Sequence, residues 1–201
     1  MAYVDLAAVK AELNITSTDD DSLLRGYITV AQATIESNRP NGTGRIFEAS
    51  ADTTKYLDAP DLPDGSPDGP SYLLLLTPYG DLCAITSIVN GDGATIPDTA
   101  YVLEPRSATP WWGIRLKRNA GYTWTYDDSP EGAIAITGKW AYSTSAPTTI
   151  QRAALRLVVA MYRAKDSAGA DNPIQTDQGI ILPQAQPKDV RQIIESYWTI
   201  L

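Results

Sequence analysis

The hydrophobic period changes twice along this chain, and that change limits its fold more than any other feature. Apolar residues recur at helical spacing over the first forty positions. From about residue 45 to 142 they alternate with a period of two. The helical period then returns. A stretch patterned for strands, bracketed by stretches patterned for helices, cannot belong to an all-α or an all-β protein. It predicts an α+β fold.

In VDLAAVKAELN, Leu6, Val9 and Leu13 share one helix face, Asp5 is placed to cap the start and Asn14 to end it. The next segment, TSTDDDSLLRGYITVAQATIES, opens on a capping signal, Thr18 followed by Asp21. Asp19 and Asp20 suit the positive end of the helix dipole. Leu24, Ile28, Ala31 and Ile35 form its apolar stripe, and Pro40, Gly42 and Gly44 stop it.

The middle region contains RIFEA, KYLDA, YLLLL, CAITSIV, AYVLE, WGIRLK, YTWTY and AIAITGKWAY, separated by Gly, Pro and Asp. NGDG at 90–93 is a hairpin signal. DAPDLPDGSPDGP, 58–70, carries four prolines and four aspartates and is expected to be an exposed loop. A third helix is expected in APTTIQRAALRLVVAMYRAKD. Ile150, Ala154, Leu157, Val158 and Met161 form one stripe, and Arg152, Arg156 and Arg163 form another. A structureless linker of about twenty residues, 167–186, should follow. The last helix, PKDVRQIIESYWTIL, has Pro187 where a first helical residue tolerates proline. The expectation is a single domain, 1–201. Two N-terminal helices, a third and a C-terminal one form a helical core (1–43 and 147–201), into which an antiparallel β module (44–146) is inserted.

Composition narrows the function. The 201 residues include no histidine, which removes the commonest general base and metal ligand. Cys/His zinc sites and His-dependent triads are excluded. The one cysteine, Cys83, cannot form an internal disulfide and reads as a small buried hydrophobe. The acidic stretches lack the EF-hand spacing, no phosphate-binding glycine loop is present, and no carboxylate pair stands out for glycoside hydrolysis. No catalytic, cofactor or metal residue is therefore assigned. The net charge of −8 disfavours a dedicated DNA grip. No apolar run approaches a membrane span of about 20 residues, and the start lacks the pattern of a signal peptide.

Adjacent tryptophans pose a geometric question, because neighbours on a strand point to opposite faces. Along WWGIRLK, alternation puts Trp112, Ile114 and Leu116 on the core face and Trp111, Gly113, Arg115 and Lys117 on the other. Three roles are open to Trp111. The first is packing under an aromatic that lies flat over Gly113, the second a subunit contact together with Arg115, and the third sugar binding. The basic stripe of the third helix and the cluster Arg115, Lys117, Arg118 suit either a solvated face or phosphate contacts.

Two of these segments carry a further pattern. LAAVKAELNITSTDDDSLLRGYITVAQATIES resembles the N-terminal signature of tailed-phage head–tail connector (adaptor) proteins of the gp6-like family. PTTIQRAALRLVVAMYRAKD is similar to that family's next helix. The strand-patterned region, with YVLEPRSATPWWGIRLK and ITGKWAYS, resembles the longer members. The resemblance implies a structural virion protein of the neck, made in the bacterial host cytoplasm. It implies a homo-oligomeric ring, typically dodecameric, beneath the portal protein. Such a ring extends the channel for double-stranded DNA, without sequence-specific binding, and offers a platform for the stopper or tail-completion protein. On that resemblance the C-terminal stripe Val190, Ile193, Ile194, Tyr197, Trp198 and Leu201 is the expected portal-docking element. Packing of this helix on its own domain is the competing expectation. The alternative from another class is a β-rich glycan- or receptor-binding module on a helical tether, suggested by the aromatic content of residues 101–142.

Overall fold

The computed structural model describes residues 2–37, 44–60, 72–165, 174–176, 179–181 and 187–197. The fold is α+β. It divides into two compact units, one made of residues 1–44 and 146–201 and the other of residues 45–145.

In the first unit, α1 (Leu6–Leu13) starts as the sequence requires. The Asp5 carboxylate accepts the Ala8 amide at 2.6 Å, and Asn14 ends the helix in the left-handed region at φ 57°. α2 (Asp21–Ser37) buries the expected stripe, Leu24, Ile28, Ala31 and Ile35. α3 (Thr148–Ala164) buries Ile150, Ala153, Ala154, Leu157 and Val158, while Met161 stays half-buried. α3 packs against α1, α2 and α4 (Lys188–Ser196), so it is the common wall of the helical unit. Pro187 sits just before α4 rather than within its first turn. Residues 167–186 are not wholly structureless: β7 (Ile174–Thr176) and β8 (Gly179–Ile181) pair antiparallel.

The second unit holds two three-stranded antiparallel sheets. One has the order β1 (Thr53–Leu57), β6 (Ile134–Lys139), β3 (Ala84–Val89). The other has the order β2 (Leu73–Leu75), β5 (Gly113–Leu116), β4 (Tyr101–Glu104). Both sheets feed one apolar cluster that includes Leu57, Leu74, Leu82, Ile88, Ile114, Leu116, Ile134 and Ile136. β6 is the central strand of its sheet, and buried and half-buried positions alternate strictly along it, so one of its faces lies on the core.

Several strand expectations need correction. RIFEA forms no strand and makes only an isolated bridge, Glu48 to Ser143. YTWTY also stays irregular. The buried Asn90 replaces a ladder there, its amide donating to the Thr123 carbonyl at 2.9 Å and its oxygen accepting the Thr125 amide at 3.1 Å. Trp124 is thereby held in the core, with its indole N–H donating to the Tyr72 carbonyl. The 90–93 turn forms as expected. Gly93 takes φ +78°, and the Ile96 amide donates back to Ile88. The loop expected at 58–70 lies largely outside the described residues.

The tryptophan pair also departs from simple alternation. β5 begins only at Gly113, so the pattern does not extend back through residues 111 and 112. Trp112 is half-buried rather than a core residue, while Trp111 is the one packed against the apolar cluster. Its amide donates to Leu82 at 2.9 Å. The space over Gly113 is taken by the aliphatic side chain of Leu73, not by an aromatic ring.

Gly138, within β6, faces the bulge in β3 between Ile85 and Ser87. A Cβ at this position would lie 2.1 Å from the Ala84 carbonyl oxygen, which is backbone and cannot swing aside. Gly138→Ala is expected to lose about 1–3 kcal/mol of unfolding free energy in chemical denaturation, as overpacking of a rigid site does. Gly26→Ala, in open space on α2, is expected to be neutral or stabilising by comparison.

Candidate assembly surfaces

The described residues contain no group of three His, Cys, Asp or Glu side chains that could hold a metal. No described helix is long and apolar enough to cross a membrane. Cys83 is buried. Its thiol donates to the Lys139 carbonyl at 3.4 Å, and burial pushes its pKa up, so the reactive thiolate is disfavoured. What the two units offer instead is surface.

The C-terminal helix is committed on one side. Val190 and Ile194 are fully buried, and the helix packs on α3. Arg156, a member of the expected basic stripe, forms an ion pair with Asp189, and Thr149 shares a hydrogen bond with the Tyr197 hydroxyl. Burial of the two aliphatic side chains is worth roughly 1.5–3 kcal/mol each. Ile193 and Tyr197 are half-buried. Trp198 and Leu201 lie outside the described residues. Arg152 and Arg163 are exposed on α3.

The acidic turn before α2 does more than complement a helix dipole. Asp20 accepts from the Tyr162 hydroxyl and from Lys165 Nζ at 2.9 Å, joining the start of α2 to the end of α3. Asp21 pairs with Lys10 of α1 at 2.7 Å. The Tyr162 hydrogen bond and then that of Lys165 hold the Asp20 pKa below its ordinary value, and the same pair raises that of Lys165. The two Asp20 links join residues more than 140 positions apart, and no local sequence signal announces them.

In the β unit, Trp111 and Arg115 lie near the same sheet edge. β4 is the outer strand of its sheet, and Val102 on β4 sits opposite Arg115 on β5. Trp111 and Val102 help line a shallow, mainly apolar hollow that wraps this edge, together with Asp98, Tyr101, Leu103 and Arg106. Arg115 reaches Glu104 at 3.4 Å, and Arg106 reaches the same carboxylate oxygen at 3.7 Å. Nothing local in the sequence marks Glu104 and Arg106, because proximity of Arg106 to Arg115 depends on how the chain turns between β4 and β5. Tyr56 on β1 is a further surface residue, 67 % exposed and the most exposed of the large hydrophobic side chains described. The alternation within KYLDA could have revealed it, since Leu57 beside it is fully buried.

Because the folded-state pKa of Asp20 is depressed, its contribution to stability is complete above the ordinary carboxylate range. It is lost as pH falls through the folded pKa. Asp20→Asn is expected to lower the melting temperature near neutral pH and to flatten its decline on acidification below about pH 4. Equal acid sensitivity in Asp20→Asn and wild type would contradict this role.

Residues 3–69, about a third of the chain, match the model of the phage gp6-like head-tail connector protein family. No curated protein matches the chain. Among solved structures, it is similar to a chain in the neck of an empty GTA particle computed with C6 symmetry. That pair has a TM-score of 0.53 and 16 % identity, covering 97 % of this chain and 89 % of the other. A chain in the neck of a native GTA particle computed with C12 symmetry gives a TM-score of 0.49, 15 % identity and coverage of 98 % and 88 %. One in the virion of a native gene transfer agent particle gives 0.46, 15 %, 92 % and 81 %. In sequence, the chain thus resembles gp6-like head-tail connectors over its first third, and over nearly its whole length it shares the fold of a GTA-particle neck chain.

Proposed function

We propose that this chain is a structural neck protein, a head–tail connector acting as a homo-oligomeric ring beneath the portal. The observation that carries the proposal is the match of residues 3–69 to the connector family within a fold shared with a neck chain over 97 % of the length. The ring extends the DNA channel and presents a platform to the stopper or tail-completion protein. Twelve copies fit a neck of sixfold symmetry and the family resemblance. The net charge of −8 suits a channel along which DNA slides without being held, since each phosphate contact adds salt-sensitive affinity.

Within this proposal, α4 joins the ring to the portal. Val190 and Ile194 anchor the helix on α3. Ile193 and Tyr197 are the described members of the stripe left partly uncovered for the portal, with Trp198 and Leu201 continuing it in sequence. The glycan-binding alternative loses two of its aromatic candidates. Trp124 and Trp140 are buried, and their indole N–H groups donate to the Tyr72 and Thr53 carbonyls.

Particles assembled without this protein should contain filled heads and no attached tails. Wild-type protein supplied in trans should restore tails, whereas Ile193→Asp should stay folded, fail to co-sediment with portal and leave the defect. Normal tails without the protein would refute the connector role. Rescue by Ile193→Asp would refute only the docking role of α4.

A further inference from the structure

Among the outer strands of the β unit, β1 and β4 have complementary character. β1 is an outer strand of its sheet and β4 is an outer strand of the other. The Trp112 amide donates to Glu104 and the Lys117 amide to Ala100, so the even-numbered residues of this segment carry the ladder to β5. Main-chain groups of Tyr101 and Leu103 therefore point away from β5. Outer strands of this kind can accept another strand.

The two edges differ in shape. β4 is concave, with Tyr101, Val102, Leu103 and Trp111 around the hollow. β1 is convex, because Tyr56 projects from it with two thirds of its surface exposed. They also differ in charge. Near β4, Arg106 and Arg115 share the single carboxylate of Glu104, and exposed Lys117 donates to the Thr99 carbonyl. Three cations thus stand against Glu104 and Asp98. β1 is bracketed by Asp52 and Asp58, whose oxygens accept from the Thr86 hydroxyl and the Gly132 amide rather than from a cation. The lysine within β1, Lys55, is turned away and held over the Trp140 ring, donating to the Tyr79 carbonyl.

We infer that the hollow at the β4 edge receives the β1 edge of a second copy of this chain, with Tyr56 seated beside Trp111 and Val102. A convex, acid-bracketed edge and a concave, cation-rich edge on one unit make a head-to-tail contact. Contacts of that kind generate closed rings when the rotation between copies closes. The inference rests on the ring proposed above and supplies the junction between its subunits. Trp111 and Arg115 enter it as members of one receiving edge.

Two variants separate the faces: Tyr56→Asp alters the inserting edge, and Val102→Asp the receiving one. Each full-length protein is compared with wild type by native mass spectrometry and sedimentation, with circular dichroism to confirm folding. Removal of an aromatic anchor from an interface centre weakens association by about 30-fold or more. Wild type should form rings, each variant alone should be monomeric, and an equimolar mixture should give one-to-one dimers through the single intact junction. Arg106→Glu, at a largely exposed position, should also weaken the ring. Rings that persist in both aspartate variants, or variants that stay monomeric when mixed, would overturn this junction and leave the ring itself standing. Wild type that is monomeric at the same concentration would overturn the ring proposal and the junction with it.

Discussion

Closure of the chain's two ends on α3 is the contact from which the rest of the architecture follows. α3 packs against α1 and α2, which lie more than a hundred residues earlier, and against α4. Its buried stripe is Ile150, Ala153, Ala154, Leu157 and Val158. The Asp20–Tyr162–Lys165 cluster then ties the start of α2 to the end of α3, and the Arg156–Asp189 pair ties the middle of α3 to the start of α4. Loop-closure entropy rises only logarithmically with length, so this helical unit tolerates about a hundred intervening residues at little more cost than fifty.

The intervening residues form a unit with its own core. It starts and finishes at adjacent strands of chain, since the Tyr142 amide donates to the Ile46 carbonyl at 2.8 Å. Arg45 stacks over Tyr142 and pairs with Asp81, fastening the same place. Side-chain hydrogen bonds substitute for ladders where the chain is irregular, with Asn90 holding residues 123–125 and Trp140 bonding to Thr53. The two three-stranded sheets close over one apolar cluster but leave outer strands, β1 and β4 among them.

Local periodicity was the most informative part of the sequence. The α+β class, the α2 stripe, the Asp5 cap, the Asn14 stop and the 90–93 turn all depend on residues within a few positions of one another, and each is legible. RIFEA and YTWTY have strand composition, yet their pairing partners are decided by distant residues such as Ser143 and Asn90. Alternation misplaced the tryptophans because β5 starts after them. Candidate surfaces were legible only in fragments. Trp111 and Arg115 drew attention as individual residues, but the edge they share with Glu104 and Arg106 exists only after β4 and β5 pair.

Three-dimensional reconstruction of intact particles by electron cryo-microscopy tests the central claim most directly. The connector account predicts density for this chain at the head–tail junction, repeated around the channel axis in a closed ring touching the portal. Density for the chain at the tail tip, on the capsid surface, or in a single copy outside the channel axis would contradict it.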